Sequence, residues 1–176
     1  MAPELAFSYI ESCLANETWG ANCGPHSLAA ALGIGLEEAR VLMPEFTSRP
    51  LRSRFTNPTM MGSALNRSGV RFTCIKNIKS QELTDGISRV QFVGEWLNPD
   101  RHPAEAYRHT HWVAHFRGFV LCTAVNPFAW VTKEDWKREL QAEGHSWYIT
   151  HWYFLGVAPK KSFGNQLPHS DAHLDS

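Results

Sequence analysis

The residue whose type and setting first suggest chemistry is Cys23, which follows the polar turn ETWGAN and opens the run CGPHSLAAALG. Read as an Ala- and Leu-rich helix ending near Gly33, that run places the thiol where unpaired backbone N–H groups and the helix dipole stabilise a thiolate. Gly24 keeps side chains away from an approaching substrate backbone, and Pro25 suits a first helical turn because it needs no N–H partner there. A nucleophilic thiol needs a base, and the segment HTHWVAHF supplies a candidate. As a strand, it turns His111, Val113 and His115 to one side and Trp112, Ala114 and Phe116 to the other. His111, near the start of that strand, can take the thiol proton and return it to a leaving group. Asn126, fifteen residues later in AVNPFAW, carries a side-chain carbonyl able to hold the second imidazole N–H. Order and spacing suit a Cys23–His111–Asn126 triad working through a thioester.

Other readings compete for the same residues. Cys23 is also compatible with a buried thiol in a small-residue helix. His109, His111 and His115 share strand parity, and two imidazoles in an HxH pattern can face one zinc ion. No cysteine or carboxylate stands at ligand spacing in that segment, so no metal ligand is assigned and no cofactor is expected. His109 and His115 read as polar surface or cleft lining, and His26 as a helix-surface histidine. His145 and His151 receive no chemistry. The aromatic run WYITHWYF reads as core packing rather than a stacking platform, and Arg49, Arg52 and Arg54 as a solvated loop.

The elements that must position these groups follow from local signals. Residues 3–16 have helical apolar spacing, with Leu5, Tyr9, Ile10 and Cys13 in phase. LEEARVLM (36–43) is a short helix stopped by Pro44, and 44–56 is a loop. Asn57-Pro58 reads as an N-cap and first-turn proline for a helix reaching about Arg67, with Gly69 beyond it. VRFTCIK alternates as a half-buried strand should, and RVQFVGEW, HWVAHF and FVLCTAV are further strands. KEDWKRELQA (133–142) is amphipathic and capped by Thr132, and HSWYITHWYFLGV is one long strand or a bent pair. Helices thus fill the first half and strands the second, which predicts an α+β fold on a mainly antiparallel sheet.

The length of 176 residues suits one domain, here residues 1–158, followed by a polar tail over 159–176. Seventeen basic residues balance seventeen acidic ones, so no global field steers the chain to nucleic acid or an anionic membrane. No apolar run reaches the length of a membrane helix, and the N-terminus lacks a basic leader region. A cytoplasmic location is expected, where four cysteines without a CxxC pair stay reduced, three of them as small core side chains.

The stretch NCGPHSLAAALG, the later HWV on a strand, then VNP and WVTKEDWKREL resemble the papain-like cysteine peptidases. Within that group the pattern is most similar to the double-glycine, bacteriocin-processing peptidases. Their Cys-Gly pair opens a central helix, and a His followed by an aromatic residue opens a strand. An Asp-Pro or Asn-Pro follows the next strand, ahead of a segment like TKEDW (132–136). NPTMMGSALNRSG followed by VRFTCI is similar to the family's helix–strand step, and the likeness spans roughly residues 16–157. It implies a papain-like helical lobe packed on a C-terminal sheet, with Cys23 as nucleophile, His111 as base and Asn126 as orienting residue. The substrate would be a peptide or protein held in the cleft between the lobes, with 44–56 and 97–110 as specificity loops.

One position departs from the family pattern. Where the family carries a glutamine six residues before the nucleophile, this chain has Glu17, whose carboxylate repels a developing oxyanion. Asn16 and Asn22 are the amide candidates to replace it, with the Cys23 backbone N–H as the other donor. A papain-like domain that binds without catalysing is the alternative that Glu17 supports.

Overall fold

The computed structural model describes residues 1–20, 22–50, 55–78, 84–144 and 146–156. Five helices come first: α1 (Tyr9–Thr18), α2 (Cys23–Leu32), α3 (Leu36–Val41), α4 (Pro44–Thr47) and α5 (Pro58–Arg67). The second part carries β1 (Phe72–Ile78), β2 (Gly86–Phe92), α6 (Pro103–Arg108), β3 (Thr110–Phe116), β4 (Phe119–Cys122), β5 (Asn126–Thr132), α7 (Lys133–Ala142) and β6 (Trp147–Leu155). The six strands form one sheet in the order β1-β6-β2-β3-β4-β5, antiparallel throughout. The fold is therefore α+β with helices and strands segregated along the chain, as the sequence predicts.

Helix boundaries follow local chemistry. α1 starts at Tyr9 rather than at residue 3, because Ser8 and Glu11 form a capping box there. Asn57 caps α5 through a 2.8 Å bond from the Met60 N–H, and Thr132 caps α7 by accepting from the Asp135 N–H. Gly33 ends α2 in the left-handed region at φ 66°, which a β-carbon would disfavour.

The sheet has a core on each face. On one side, Trp112, Ala114 and Ile87 pack with Leu28, Ala29, Met61 and Leu65 from the helices. On the other, Val113, Val90, Val120 and Cys122 pack with Trp136 and Leu140 of α7. The two sides of β3 separate as its alternation predicts. β1 departs from the half-buried expectation: it is an edge strand whose residues from Thr73 to Asn77 are exposed. Cys74 is accordingly exposed and Cys13 half-buried, so only Cys122 among the three other cysteines is a buried core side chain.

Gly24 has a structural role different from the one its sequence context suggests. It is buried, and a β-carbon built on it would lie 2.0 Å from Thr56 Oγ1 and 2.4 Å from Thr56 Cβ. The missing side chain makes room for Thr56, just ahead of α5, and not for substrate. Gly24→Ala is expected to lower stability by about 1–3 kcal/mol through overpacking. A thermal melt checks this, and Thr56→Gly in the same chain should recover most of the loss.

Candidate active site

α2 begins at Cys23, and its terminus is left without a side-chain cap. Asn22 occupies the capping position but makes no cap bond. Its amide nitrogen donates instead to the side-chain carbonyl of Asn16 on α1. The first-turn N–H groups of α2 therefore have no side-chain acceptor of their own, and the positive end of the helix faces the half-buried Cys23 sulfur.

Buried packing holds this helix start in place. His26 is fully buried, not on the helix surface as its polarity suggests, because α2 is enclosed by helices on one side and the sheet on the other. Its Nδ1 lies 3.2 Å from the Asn22 carbonyl and its Nε2 2.8 Å from Ser12 Oγ. Ser12 also donates to the Pro127 carbonyl at 3.1 Å, tying α1, α2 and the start of β5 together. Phe7 and Trp19 meet the imidazole edge-on, and burial pushes its pKa down to about 4.

The base arrives from β3. The β3–β4 ladder ends at Ala114 and Leu121, and the strands part beyond that pair. Here the His111 imidazole is near enough to the Cys23 sulfur to favour its thiolate. Burial raises the thiol pKa, but the charge and hydrogen bond of His111, with the Trp112 backbone N–H, bring it net below the ordinary thiol value. Buried Cys122 nearby acts in the opposite direction. His111 Nε2 lies 3.4 Å from the Thr123 hydroxyl, just past the end of β4.

Asn126 stands at the first position of β5, where it pairs in register with Cys122. Its side-chain oxygen accepts the Phe128 N–H at 3.0 Å, and no hydrogen bond joins it to His111 among the described residues. It lines a shallow hollow of about 360 Å³ with Ala124, Val131, Asp135 and Arg138. Thr123 is the neighbour of the imidazole that sequence reasoning missed. A threonine in a short inter-strand connection carries no signal of that role.

The remaining candidates are distributed as follows. Glu17 is exposed near the C-terminal end of α1, while Asn16 and Asn22 are paired next to Cys23. His109 stacks on Trp96 with ring centroids 3.6 Å apart. His115 is buried against Trp136 and bonded to Ser88 Oγ at 2.6 Å, so it lines no cleft. Among the described residues no three His, Cys, Asp or Glu side chains converge to hold a metal ion. Arg49 lies over the Phe55 ring, while Arg52, Arg54, His145 and the tail 159–176 fall outside the described residues. No helix among the described residues is long and apolar enough to cross a membrane. No protein-family model matches the chain, and no curated protein or solved structure matches it either.

Proposed function

We propose that this chain is a cysteine-dependent hydrolase of the papain-like type, a peptidase or isopeptidase/amidase acting on a peptide or protein. The observation that carries the reading is the pairing of Cys23, at a helix start without a side-chain cap, with the His111 imidazole. Two independent stabilisers of a thiolate meet at one half-buried sulfur. In the reaction, the Cys23 thiolate attacks the substrate carbonyl and the C–N bond breaks. The proton held on His111 passes to the departing amine, leaving a thioester on Cys23. His111 then takes a proton from water as its oxygen attacks the thioester, and the thiol is regenerated.

The oxyanion formed on the way needs donors. The Cys23 backbone N–H is one candidate, and the Asn16–Asn22 amide pair, adjoining Cys23 through Asn22, is the candidate for the second. Glu17 points into solvent, so its carboxylate weakens the oxyanion less than its position in the sequence suggests.

Thr123 fits the orienting role as the structure stands, since Asn126 reaches the imidazole only by giving up the Phe128 N–H. A Thr123 hydroxyl accepting the Nε2 proton leaves Nδ1 free to serve the thiol. Thr123→Val is expected to lower peptide turnover roughly tenfold, the worth of one hydrogen bond to a charged group. Thr123→Ser should restore it, and Asn126→Ala should do less harm than Thr123→Val. The reverse ranking assigns the orienting role to Asn126.

The function itself is tested by alkylating Cys23 with iodoacetamide from about pH 5 to about pH 10 and mapping the product by mass spectrometry. A thiolate reactive well below the ordinary thiol range, together with peptide or isopeptide cleavage lost in Cys23→Ala, supports the reading. A Cys23 that reacts as a free thiol does, or not at all, overturns it.

A further inference from the structure

Arg89 on β2 is a buried cation that no Asp or Glu side chain among the described residues pairs with. It is 5% exposed, and none of the ion pairs among the described residues includes it. Its Nη1 donates to Thr150 Oγ1 at 3.2 Å, the Tyr107 ring lies 5.2 Å over its guanidinium, and its Nε has no hydrogen-bond partner. A guanidinium keeps its proton in a protein, so it cannot relieve burial by neutralising as a lysine can. A buried charge left unpaired is costly, and an aromatic face plus one hydroxyl compensate it only in part.

The surroundings add positive character instead of cancelling it. Strand register puts His151 of β6 opposite Arg89, and Lys76 of β1 opposite His151. The three side chains form one row across β1, β6 and β2, and none of them belongs to an ion pair among the described residues. Burial, with the charges of Arg89 and Lys76, lowers the affinity of His151 for a proton. Toward the other side, Arg89 lies opposite Trp112, whose backbone N–H serves the Cys23 sulfur. The guanidinium is itself within electrostatic reach of that sulfur. A missing negative charge beside a nucleophile points to a ligand that brings one.

We propose that Arg89 anchors a carboxylate subsite next to Cys23, selecting peptides with an acidic side chain or a free C-terminal carboxylate beside the attacked bond. The proposal rests on the hydrolase reading and names its substrate class. Tyr107 covers the guanidinium in the unliganded chain. It is 59% exposed, so it can swing off with little loss of buried contact. The carboxylate then takes the two-pronged geometry that arginine offers.

The test compares iodoacetate with iodoacetamide on the intact protein near neutral pH and at low salt. Both form the same S–C bond on Cys23 and expel iodide, and only the first carries a carboxylate. The iodoacetate-to-iodoacetamide rate ratio at Cys23 is expected to fall roughly tenfold in Arg89→Gln. Attraction by His111 is common to both proteins and drops out of the change. Because Arg89 is buried and its replacement can unfold the chain, a second arm uses the wild-type protein. N-acetylglutamate α-amide supplies a side-chain carboxylate, N-acetylalanine a terminal one, and N-acetylglutamine α-amide none. Saturable slowing of the iodoacetate reaction by the first or the second, but not the third, supports the subsite and identifies which carboxylate it takes. Equal effects of all three, or an unchanged ratio in folded Arg89→Gln, overturn it while leaving Cys23 reactive. A Cys23 inert to both reagents brings down the hydrolase reading, and the subsite with it.

Discussion

His111→Ala is expected to slow iodoacetamide alkylation of Cys23 near pH 6 by about two orders of magnitude. Two groups of forces oppose each other at this sulfur. Burial and Cys122 favour the neutral thiol, while His111 and the Trp112 N–H favour the thiolate, and the second group prevails. Deleting the imidazole leaves one backbone N–H and the helix terminus against burial, and the thiol should titrate above its ordinary value instead of below. Each unit of that movement changes the thiolate fraction tenfold at any pH below both values. Peptide turnover should fall further than alkylation, by about 10²–10⁴, because the same ring must also protonate the leaving amine. Alkylation rates at three or four pH values in the two proteins suffice. If both follow one curve, His111 has no hold on the nucleophile.

Acid should unfold the chain through two other histidines. His26 and His115 are both buried, with folded pKa values lowered from 6.5 to about 4 and about 3 respectively, chiefly by burial. Lys133 adds a smaller push on His115. The unfolded chain therefore binds protons at both positions before the folded chain does. Their contribution is undiminished above about pH 6.5 and falls away progressively below it, until about pH 4 for His26 and about pH 3 for His115. At pH 4 the combined loss is on the order of 6 kcal/mol, comparable with the whole stability of an ordinary domain. Melting temperature followed from pH 7 to pH 4 should drop steeply, and His115→Gln should flatten the slope by about half. A melting point level across that range would mean that the imidazoles are charged or solvated in the folded chain.

How much of this was legible in the sequence depends on whether a residue's role is local. Gly33, Asn57-Pro58 and Thr132 announce helix ends through their own backbone preferences, and the structure has helix ends at each. Cys23 at a helix start and His111 at a strand start are local facts too, and the alternation of Trp112 and Ala114 with Val113 predicts the two faces of β3. β5 opens on Asn126-Pro127, and a proline so early in a strand hides it from the apolar alternation that marks the others. α6 was read as loop because its cap is His102, whose ring nitrogen accepts the Ala104 N–H, an unusual capping residue. The burial of His26, the Thr56 contact that requires Gly24 and the approach of Thr123 to His111 all depend on distant segments meeting. So does Arg89, which is one more polar residue in RVQF until register sets it in a row with His151 and Lys76.

The position of β6 has a consequence for synthesis and truncation. β6, the last strand among the described residues, is not at the rim but lies between β1 and β2, bonded to both. Until Leu155 has been added, β1 has no neighbour in the sheet and the row through His151 is broken. A chain cut short before β6 loses its middle, not its margin, and cannot hold the β2 flank that backs His111. The stabilised thiolate at Cys23 is therefore expected only once β6 has taken its place in the sheet.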